Sequence, residues 1–132
     1  MGRGRDIKRA LQRYQKTMDV NWFLRQLLEQ LSRLPFVKNL DLNTEVFVVK
    51  GRVFLDHNFF LQVYFNGRTE TTAFALIKDE KRTWGIDFDS IRGWHLHPVE
   101  NPDDHLVIEP KTIAEIIDQL EKAWDVLTNK ES

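Results

Sequence analysis

The feature that most constrains the fold is a change of hydrophobic period near Glu45. From there to Phe88, apolar and polar residues alternate in short runs that are separated by turn-forming residues. Alternation places apolar side chains on one face of a strand, whereas an amphipathic helix needs a period near 3.6 residues. Short connections let neighbouring strands pair antiparallel. This stretch therefore predicts an antiparallel meander of about four strands.

The predicted strands lie between consecutive turn signals. They are Val46 to Leu55, Phe59 to Phe65, Thr69 to Lys78 and Arg82 to Phe88. Gly51 interrupts the first strand and predicts a bulge or a tight turn there. Asn66 and Gly67 both tolerate the positive φ of a type I′ turn, so together they predict a hairpin. Residues 56–58 and 79–81 are the other predicted turns.

A predicted helix flanks this segment on each side. Asp19 is placed to cap the first helix, whose apolar stripe continues to Leu34 before Pro35 ends it. The second helix begins with the capping box from Thr112 to Glu115 and continues to about Leu127. The expected class is therefore α+β, with N-terminal helices, the meander, and a C-terminal amphipathic helix packed on the sheet.

The N-terminal region differs in charge from the rest of the chain. Residues 1–40 contain nine Lys or Arg and three Asp or Glu, whereas residues 41–132 contain ten and seventeen. A further amphipathic helix is predicted from Asp6 to Met18, with cations on its polar side. These cations are Arg5, Arg9 and Lys16. We expect a single domain, 1–132, made of a basic helical arm and an α+β body. The arm then binds an anionic partner or a neighbouring copy, or both regions are simply solvated faces.

Composition excludes several classes of site. The chain has no cysteine, so disulfides, thiolate metal sites and cysteine nucleophiles are excluded, and histidine and carboxylates are the reactive groups that remain. No apolar run approaches the ~20 residues needed to cross a bilayer, and the first residues lack the apolar block of a signal peptide. We therefore expect a cytoplasmic protein with no membrane partner.

The chemically richest stretch runs from Asp87 to His105. It holds three of the four histidines of the chain, at His95, His97 and His105. If this part of the chain is extended, His95 and His97 share one face, because alternate residues of a strand do so. Asp87 and Arg92 are the charged residues expected to be their partners.

Three hypotheses fit these residues. In the first, the histidine pair binds a divalent ion such as Zn, together with His105 or Asp87, and an open position activates water. In the second, a histidine is the general base on an RNA 2′-hydroxyl, another histidine or aspartate returns a proton, and Arg92 stabilises the phosphorane. The catalytic set is then His95, His97, His105, Asp87 and Arg92, and the RNA-binding set is Arg5, Arg9, Lys16 and Trp94.

In the third hypothesis the histidines are structural. Their ring nitrogens then bond to nearby backbone and to Asp103 or Asp104, and Trp94 belongs to the core.

Three neighbouring residues are weaker candidates. His57 lies between turn-forming residues, so we expect it in an exposed turn. Asp89 alternates with Asp87, so the two either pair their carboxylates or Asp89 ends the strand. Arg82 precedes Asp87 by five residues, which nominally places it on the opposite face of the strand and favours Arg92.

The second half of the chain has a recognisable order of features. A two-strand hairpin precedes an Asp at the end of a later strand, a loop rich in His and Pro, a further His, and a closing amphipathic helix. Over residues 53–127 this order resembles the TumE family of small prokaryotic proteins. Ile86-Asp87-Phe88-Asp89 stands where the family has Tyr-Asp-Asn, and His95-Leu96-His97-Pro98 stands where it has paired His. The residues that carry over are Asp87, His95 or His97, and His105.

The resemblance implies the toxin of a toxin–antitoxin pair, neutralised by a small DNA-binding antitoxin, with RNA as its target. A ribonuclease activity is the hypothesis drawn from the histidine-rich loop and the cationic N-terminal helix. Two other functions stay open. One is a non-catalytic assembly module that forms homo-oligomers through an apolar surface of its helical arm. The residues of that surface are Tyr14, Met18, Trp22 and Phe23. The other is a hydrolase whose metal is held by the three histidines.

Overall fold

A computed structural model describes residues 20–129 of the chain, so the predicted helix from Asp6 to Met18 and the predicted cap Asp19 lie outside the described residues. The described part contains a helix at residues 20–31 (α1), a seven-stranded antiparallel sheet and a C-terminal helix, Ile113–Asn129 (α2). The strands are β1 Val37–Thr44, β2 Val48–Leu55, β3 Phe60–Asn66, β4 Thr71–Lys78, β5 Lys81–Asp89, β6 Gly93–His97 and β7 Leu106–Val107. The predicted α+β class is confirmed.

The sheet is a meander in which each strand pairs with the next one along the chain. The sequence predicted about four strands, and the structure adds β1, β6 and β7 to β2–β5. β1 was missed because six of its eight residues are exposed, so it lacks the apolar alternation that marks a strand with one buried face. β1 also crosses position 40, so the predicted boundary between arm and body falls within a strand.

Gly51 does not mark a bulge. β2 continues through it, and its pairing with both neighbouring strands is regular there. Its φ of +152° is one that side chains rarely adopt, and a Cβ at this position would clash with the Asp41 carbonyl oxygen of β1. Glycine is therefore required by the close approach of two backbones, which explains why it interrupts the apolar pattern.

The hairpin between β3 and β4 was predicted at the correct place but with the wrong turn. Neither Asn66 nor Gly67 has a positive φ, and the left-handed residue of the loop is Glu70, with φ +57°. The Asn66 side-chain oxygen accepts the backbone N–H groups of Arg68 and Thr69 at 2.9 and 3.2 Å. The asparagine thus organises a four-residue loop through its side chain rather than through its backbone.

The two-residue loop with two left-handed residues connects β4 to β5 instead. Asp79 and Glu80 have φ values of +51° and +64°, and Lys78 pairs with Lys81 across the loop. These are the features of the type I′ turn that joins tightly paired strands.

Both helices pack on the same face of the sheet, called here the inner face. The Phe23 ring of α1 stacks on Phe65 of β3 at 4.2 Å, and the Trp124 ring of α2 stacks on Phe36 at 4.4 Å. Phe23 is 2% exposed and Trp22 is 56% exposed, so the apolar surface predicted on the arm does not include Phe23. The inner-face core is one cluster that joins α1, the sheet and α2.

The start of α2 is the predicted capping box. The Thr112 hydroxyl accepts the backbone N–H of Glu115 at 3.1 Å, and the Glu115 carboxylate accepts the N–H of Thr112 at 3.0 Å. These reciprocal bonds satisfy two N–H groups at the helix terminus, and the Thr112 N–H that donates to the Glu115 carboxylate lowers the pKa of that group.

No helix among the described residues is long and apolar enough to cross a membrane.

Replacing Gly51 by Ala should destabilise the protein more than replacing Gly93 by Ala. Both glycines have positive φ, but an added Cβ meets no atom within 4 Å at Gly93, whereas it meets the β1 backbone at Gly51. We expect a loss of about 1 kcal/mol for Gly93→Ala and roughly 3 kcal/mol for Gly51→Ala in urea unfolding at neutral pH. Equal losses for the two variants would contradict the close approach of β1 to β2.

Candidate metal centre

The site begins with the pairing of β5 and β6. Asp87 lies directly opposite His95, and Gly85 lies opposite His97. Cross-strand partners share a face, so Asp87 and both histidines project from the face opposite the helices, called here the outer face. The predicted shared face of His95 and His97 is confirmed.

His97 is the most enclosed member of the site, with 1% of its surface exposed. Its Nδ1 lies 3.0 Å from the Pro102 carbonyl oxygen, and its Nε2 lies 2.9 Å from Asp87 Oδ2. A carbonyl oxygen can only accept, so Nδ1 carries a proton and donates to Pro102. This hydrogen bond orients the ring so that Nε2 points to Asp87.

His95 has the same arrangement in a looser form. Its Nδ1 lies 3.3 Å from the Gly93 carbonyl oxygen, and its Nε2 lies 3.3 Å from Asp87 Oδ2. One carboxylate oxygen therefore faces the Nε2 atoms of both buried rings. Three atoms that each can offer a lone pair converge there, and they require protons or a cation between them.

His105 completes the cluster from the far side of the connection between β6 and β7. Its ring centre lies 5.4 Å from that of His95 and 4.6 Å from that of His97. One ligand nitrogen from each of the three histidines lies within 4.8 Å of the others, so the cluster could hold a metal ion. His105 is exposed, which leaves the cluster open to solvent on that side.

The distances are compatible with metal coordination. Two ligands that are each about 2.1 Å from a tetrahedral metal are roughly 3.4 Å apart. The nitrogens of the three histidines lie within 4.8 Å of one another, and the contacts between Nε2 and Asp87 Oδ2, at 2.9 and 3.3 Å, are hydrogen-bond distances. The hydrogen bonds from Nδ1 to backbone carbonyls are the contacts that commonly fix the tautomer of metal-binding histidines.

The structural hypothesis for the histidines is partly supported by the same contacts. The rings do bond to backbone carbonyls, but their carboxylate partner is Asp87 rather than Asp103 or Asp104. Without a metal, protons must lie between Asp87 and the two rings. Arg82 adds a permanent positive charge to this arrangement, because its Nη1 contacts the His97 ring.

Arg82 was predicted on the wrong face. Its Nη1 lies 3.2 Å from both ring nitrogens of His97. The pairing of β4 with β5 shifts between Leu76–Trp84 and Ile77–Arg82, so Thr83 is an extra residue that returns Arg82 to the outer face.

The side chain of that extra residue stabilises the shift, since the Thr83 hydroxyl donates to the Leu76 carbonyl at 2.9 Å. No pattern of apolar residues marks such a bulge. The prediction that Arg82 and Asp87, five residues apart, lie on opposite faces was wrong for this reason.

Arg92 does not contact the histidines. Its side chain forms an ion pair with Asp89 at 3.3 Å, and Asp89 Oδ1 accepts the N–H groups of Ile91 and Arg92 at 2.9 and 2.7 Å. The backbone N–H of Arg92, followed by that of Ile91, lowers the pKa of Asp89 by donating to its carboxylate. Asp89 therefore ends the strand and organises the β5–β6 turn, which was one of its two predicted roles.

The remaining predicted site residues lie elsewhere. Trp94 projects to the inner face, where its ring centre is 5.2 Å from that of Phe88, so it is not adjacent to the histidines. His57 lies in the exposed turn that was predicted, with φ +59°, and its ring is near Trp124. The predicted RNA-binding residues Arg5, Arg9 and Lys16 lie outside the described residues.

The pKa of His105 is lowered from its ordinary value. Neighbouring atoms displace water from the ring, and the other two imidazoles, Arg92 and Arg82 add positive charge around it. His105 is therefore neutral at a pH where an ordinary histidine is partly protonated. A neutral ring is the form that binds a metal.

Comparisons with protein-family models, with curated proteins and with solved structures gave no match to this chain.

Metal binding should depend on the clustered histidines and not on His57. We expect the full chain to bind one Zn²⁺ per molecule by isothermal titration at pH 7.5, and His97→Ala to reduce the affinity at least a hundredfold. The matched control is His57→Ala, which removes a histidine from an exposed turn and should bind as the parent does. Metal binding that survives in His97→Ala would show that this cluster is not the site.

The protonation of His105 should follow its lowered pKa. In metal-free protein, the His105 Cε1–H resonance should titrate below the range of a histidine in an unstructured peptide, as measured by NMR. Because the folded state disfavours the proton, protonation of this ring reduces stability as pH falls below its ordinary pKa. A titration at or above the ordinary pKa would contradict the crowding of positive charge around the ring.

Proposed function

We propose that this protein is a metal-dependent hydrolase that cleaves phosphoester bonds. The observation that carries the proposal is the convergence of three histidine nitrogens within 4.8 Å, beside the carboxylate of Asp87. Imidazole and carboxylate ligands suit zinc and other first-row divalent ions. A bound ion of this kind lowers the pKa of a water molecule toward neutrality and polarises the bond to be cleaved.

The residues of the site have distinct roles in this proposal. His95 and His97 are held rigidly by backbone hydrogen bonds and would keep the ion in place. His105 lies on the exposed side, where substrate and water enter. Asp87 faces the ligand nitrogens and is the group that accepts the proton of the attacking water.

The preference for a phosphoester comes from Arg82. Its guanidinium is permanently charged and contacts His97 at 3.2 Å, while the residue as a whole is exposed. A guanidinium presents paired N–H donors that match phosphate oxygens, and it stabilises the extra negative charge of the transition state. Arg82 thus takes the role that the sequence assigned to Arg92.

A metal-free ribonuclease is the second candidate. The observation that favours it is the short contact between His97 Nε2 and Asp87 Oδ2, 2.9 Å, because a carboxylate that orients an imidazole is also an arrangement for general acid–base catalysis. A chelator separates the two candidates, since only the metal-dependent hydrolase loses activity in its presence.

The cellular role is a proposal that rests on the resemblance to the TumE family. In it, the protein is the toxin of a toxin–antitoxin pair, a small DNA-binding antitoxin is its partner, and RNA is its substrate. The alternative role is assembly into homo-oligomers through the N-terminal helices, and two of the four residues predicted for that surface, Tyr14 and Met18, lie outside the described range.

The hydrolase proposal predicts metal-dependent cleavage of a simple phosphodiester. Bis(p-nitrophenyl) phosphate should be hydrolysed after addition of Zn²⁺ or Mn²⁺, and excess EDTA should abolish the reaction. Asp87→Asn should reduce the rate 10- to 100-fold, and Arg82→Ala about 100-fold, whereas His57→Ala should retain full activity. Activity that is insensitive to EDTA but lost in Asp87→Asn would favour the metal-free ribonuclease.

A further inference from the structure

Within residues 20–129, no helix covers the outer face of the sheet between the candidate metal centre and β2. The strand pairings place residues of β2 to β6 in rows that run across this face. One row is Lys50, Tyr64, Ala73, Asp87 and His95, and the next is Arg52, Gln62, Ala75, Gly85 and His97. Members of a row project from the same face, so each row joins the site to β2.

The middle of both rows is formed by small residues. Ala73 and Ala75 of β4 and Gly85 of β5 separate the histidines from the larger side chains of β3. A Cβ at position 85 would clash with the Phe74 carbonyl oxygen, so no side chain can occupy the row there. Ala73 is partly exposed, whereas Ala75 and Gly85 are buried, so the shallow floor on which an extended ligand can lie follows the row through Ala73.

The far side of this floor carries an aromatic ring and two cations, and the exposed Asp41 of β1 lies opposite one of them, Arg52. Tyr64 is partly exposed, and Lys50 and Arg52 are exposed. The Arg52 guanidinium lies 4.8 Å from the centre of the Phe60 ring, so a flat cation rests on an aromatic base. Lys50 forms an ion pair with Glu45 at 3.4 Å, but both side chains are more than half exposed, so this contact is weak and exchangeable.

We propose that the outer face binds single-stranded nucleic acid and leads it into the candidate metal centre. The inference rests on the proposed function, because it names the polymer whose phosphodiester bonds the site would cleave. Bases would stack on Tyr64 and on the Arg52–Phe60 pair, while Lys50 and Arg82 contact phosphates at either end. This surface, from β2 to β6, is called here the track.

The chemistry of the track favours single strands. Exposed aromatic and guanidinium planes on a sheet bind unpaired bases by stacking, whereas the bases of a duplex are hidden from such planes. The track from β2 to β6 spans four strand spacings, about 19 Å. A stacked strand advances about 3.4 Å per nucleotide, so the track matches on the order of six nucleotides.

Binding of a labelled oligonucleotide tests this inference without cleavage. Fluorescence anisotropy with the full chain in excess EDTA would use fluorescein-labelled ten-nucleotide RNA and DNA single strands and a ten-base-pair RNA duplex. We expect either single strand to bind at least tenfold more tightly than the duplex. Tyr64→Ala should weaken single-strand binding about tenfold, and Tyr64→Phe should restore it, because the ring face is what stacks.

A second pair of variants tests the phosphate contacts. Lys50→Ala should lower the slope of log affinity against log salt by about one, since one phosphate contact is lost. Lys122→Ala removes an exposed lysine from α2 on the other side of the sheet and should leave both affinity and slope unchanged. Because Lys50 and Lys122 are exposed, neither change should impair folding.

The failure of this inference can be told apart from the failure of the proposed function. If the protein hydrolyses bis(p-nitrophenyl) phosphate but Tyr64→Ala and Lys50→Ala bind single strands as the parent does, the track is wrong and the hydrolase stands. Equal binding of duplex and single strand, or no binding to either, also overturns the track. If single strands bind as expected but no metal supports hydrolysis, the track stands and the hydrolase is wrong.

Discussion

The carboxylate of Asp87 is the group on which the candidate site depends. Its Oδ2 faces the Nε2 atoms of two imidazoles that are almost completely buried, and each imidazole uses its other nitrogen to bond a backbone carbonyl. The antiparallel pairing of β5 with β6 places Asp87 opposite His95, and a shift by one residue would move the histidines to the inner face. The turn between these strands, organised by Asp89, therefore determines the site as directly as the histidines do.

A second local irregularity determines the charge of the site. The bulge at Thr83 changes the parity of β5, so Arg82 projects beside His97 instead of toward the helices. Bulges commonly redirect a side chain next to a functional site, and this one supplies a permanent cation. In a regular strand Arg82 would lie on the opposite face, which favoured Arg92 as the partner of the histidines. Arg92 instead forms an ion pair with Asp89 in the turn.

The division of the sheet into two faces links the fold to the proposed activity. Both helices pack on the inner face, where one apolar cluster joins α1, the sheet and α2. In the part of the chain that the structure describes, no helix packs on the outer face, which carries histidines, cations and small residues. The sheet and its core hold the buried histidines in fixed positions, and the neighbouring outer face is the surface on which a substrate would bind.

The sequence by itself determined the α+β class, four central strands, the capping box of α2 and the stretch that contains the clustered residues. Apolar alternation and turn chemistry are local, so they are readable along the chain. The tertiary structure alone decided that Arg82 joins the site, that Trp94 leaves it, and that His105 approaches His97. The bulge at Thr83 places Arg82, the pairing of β5 with β6 places Trp94, and the connection between β6 and β7 places His105. These positions depend on contacts between distant segments, which a pattern of neighbouring residues does not encode.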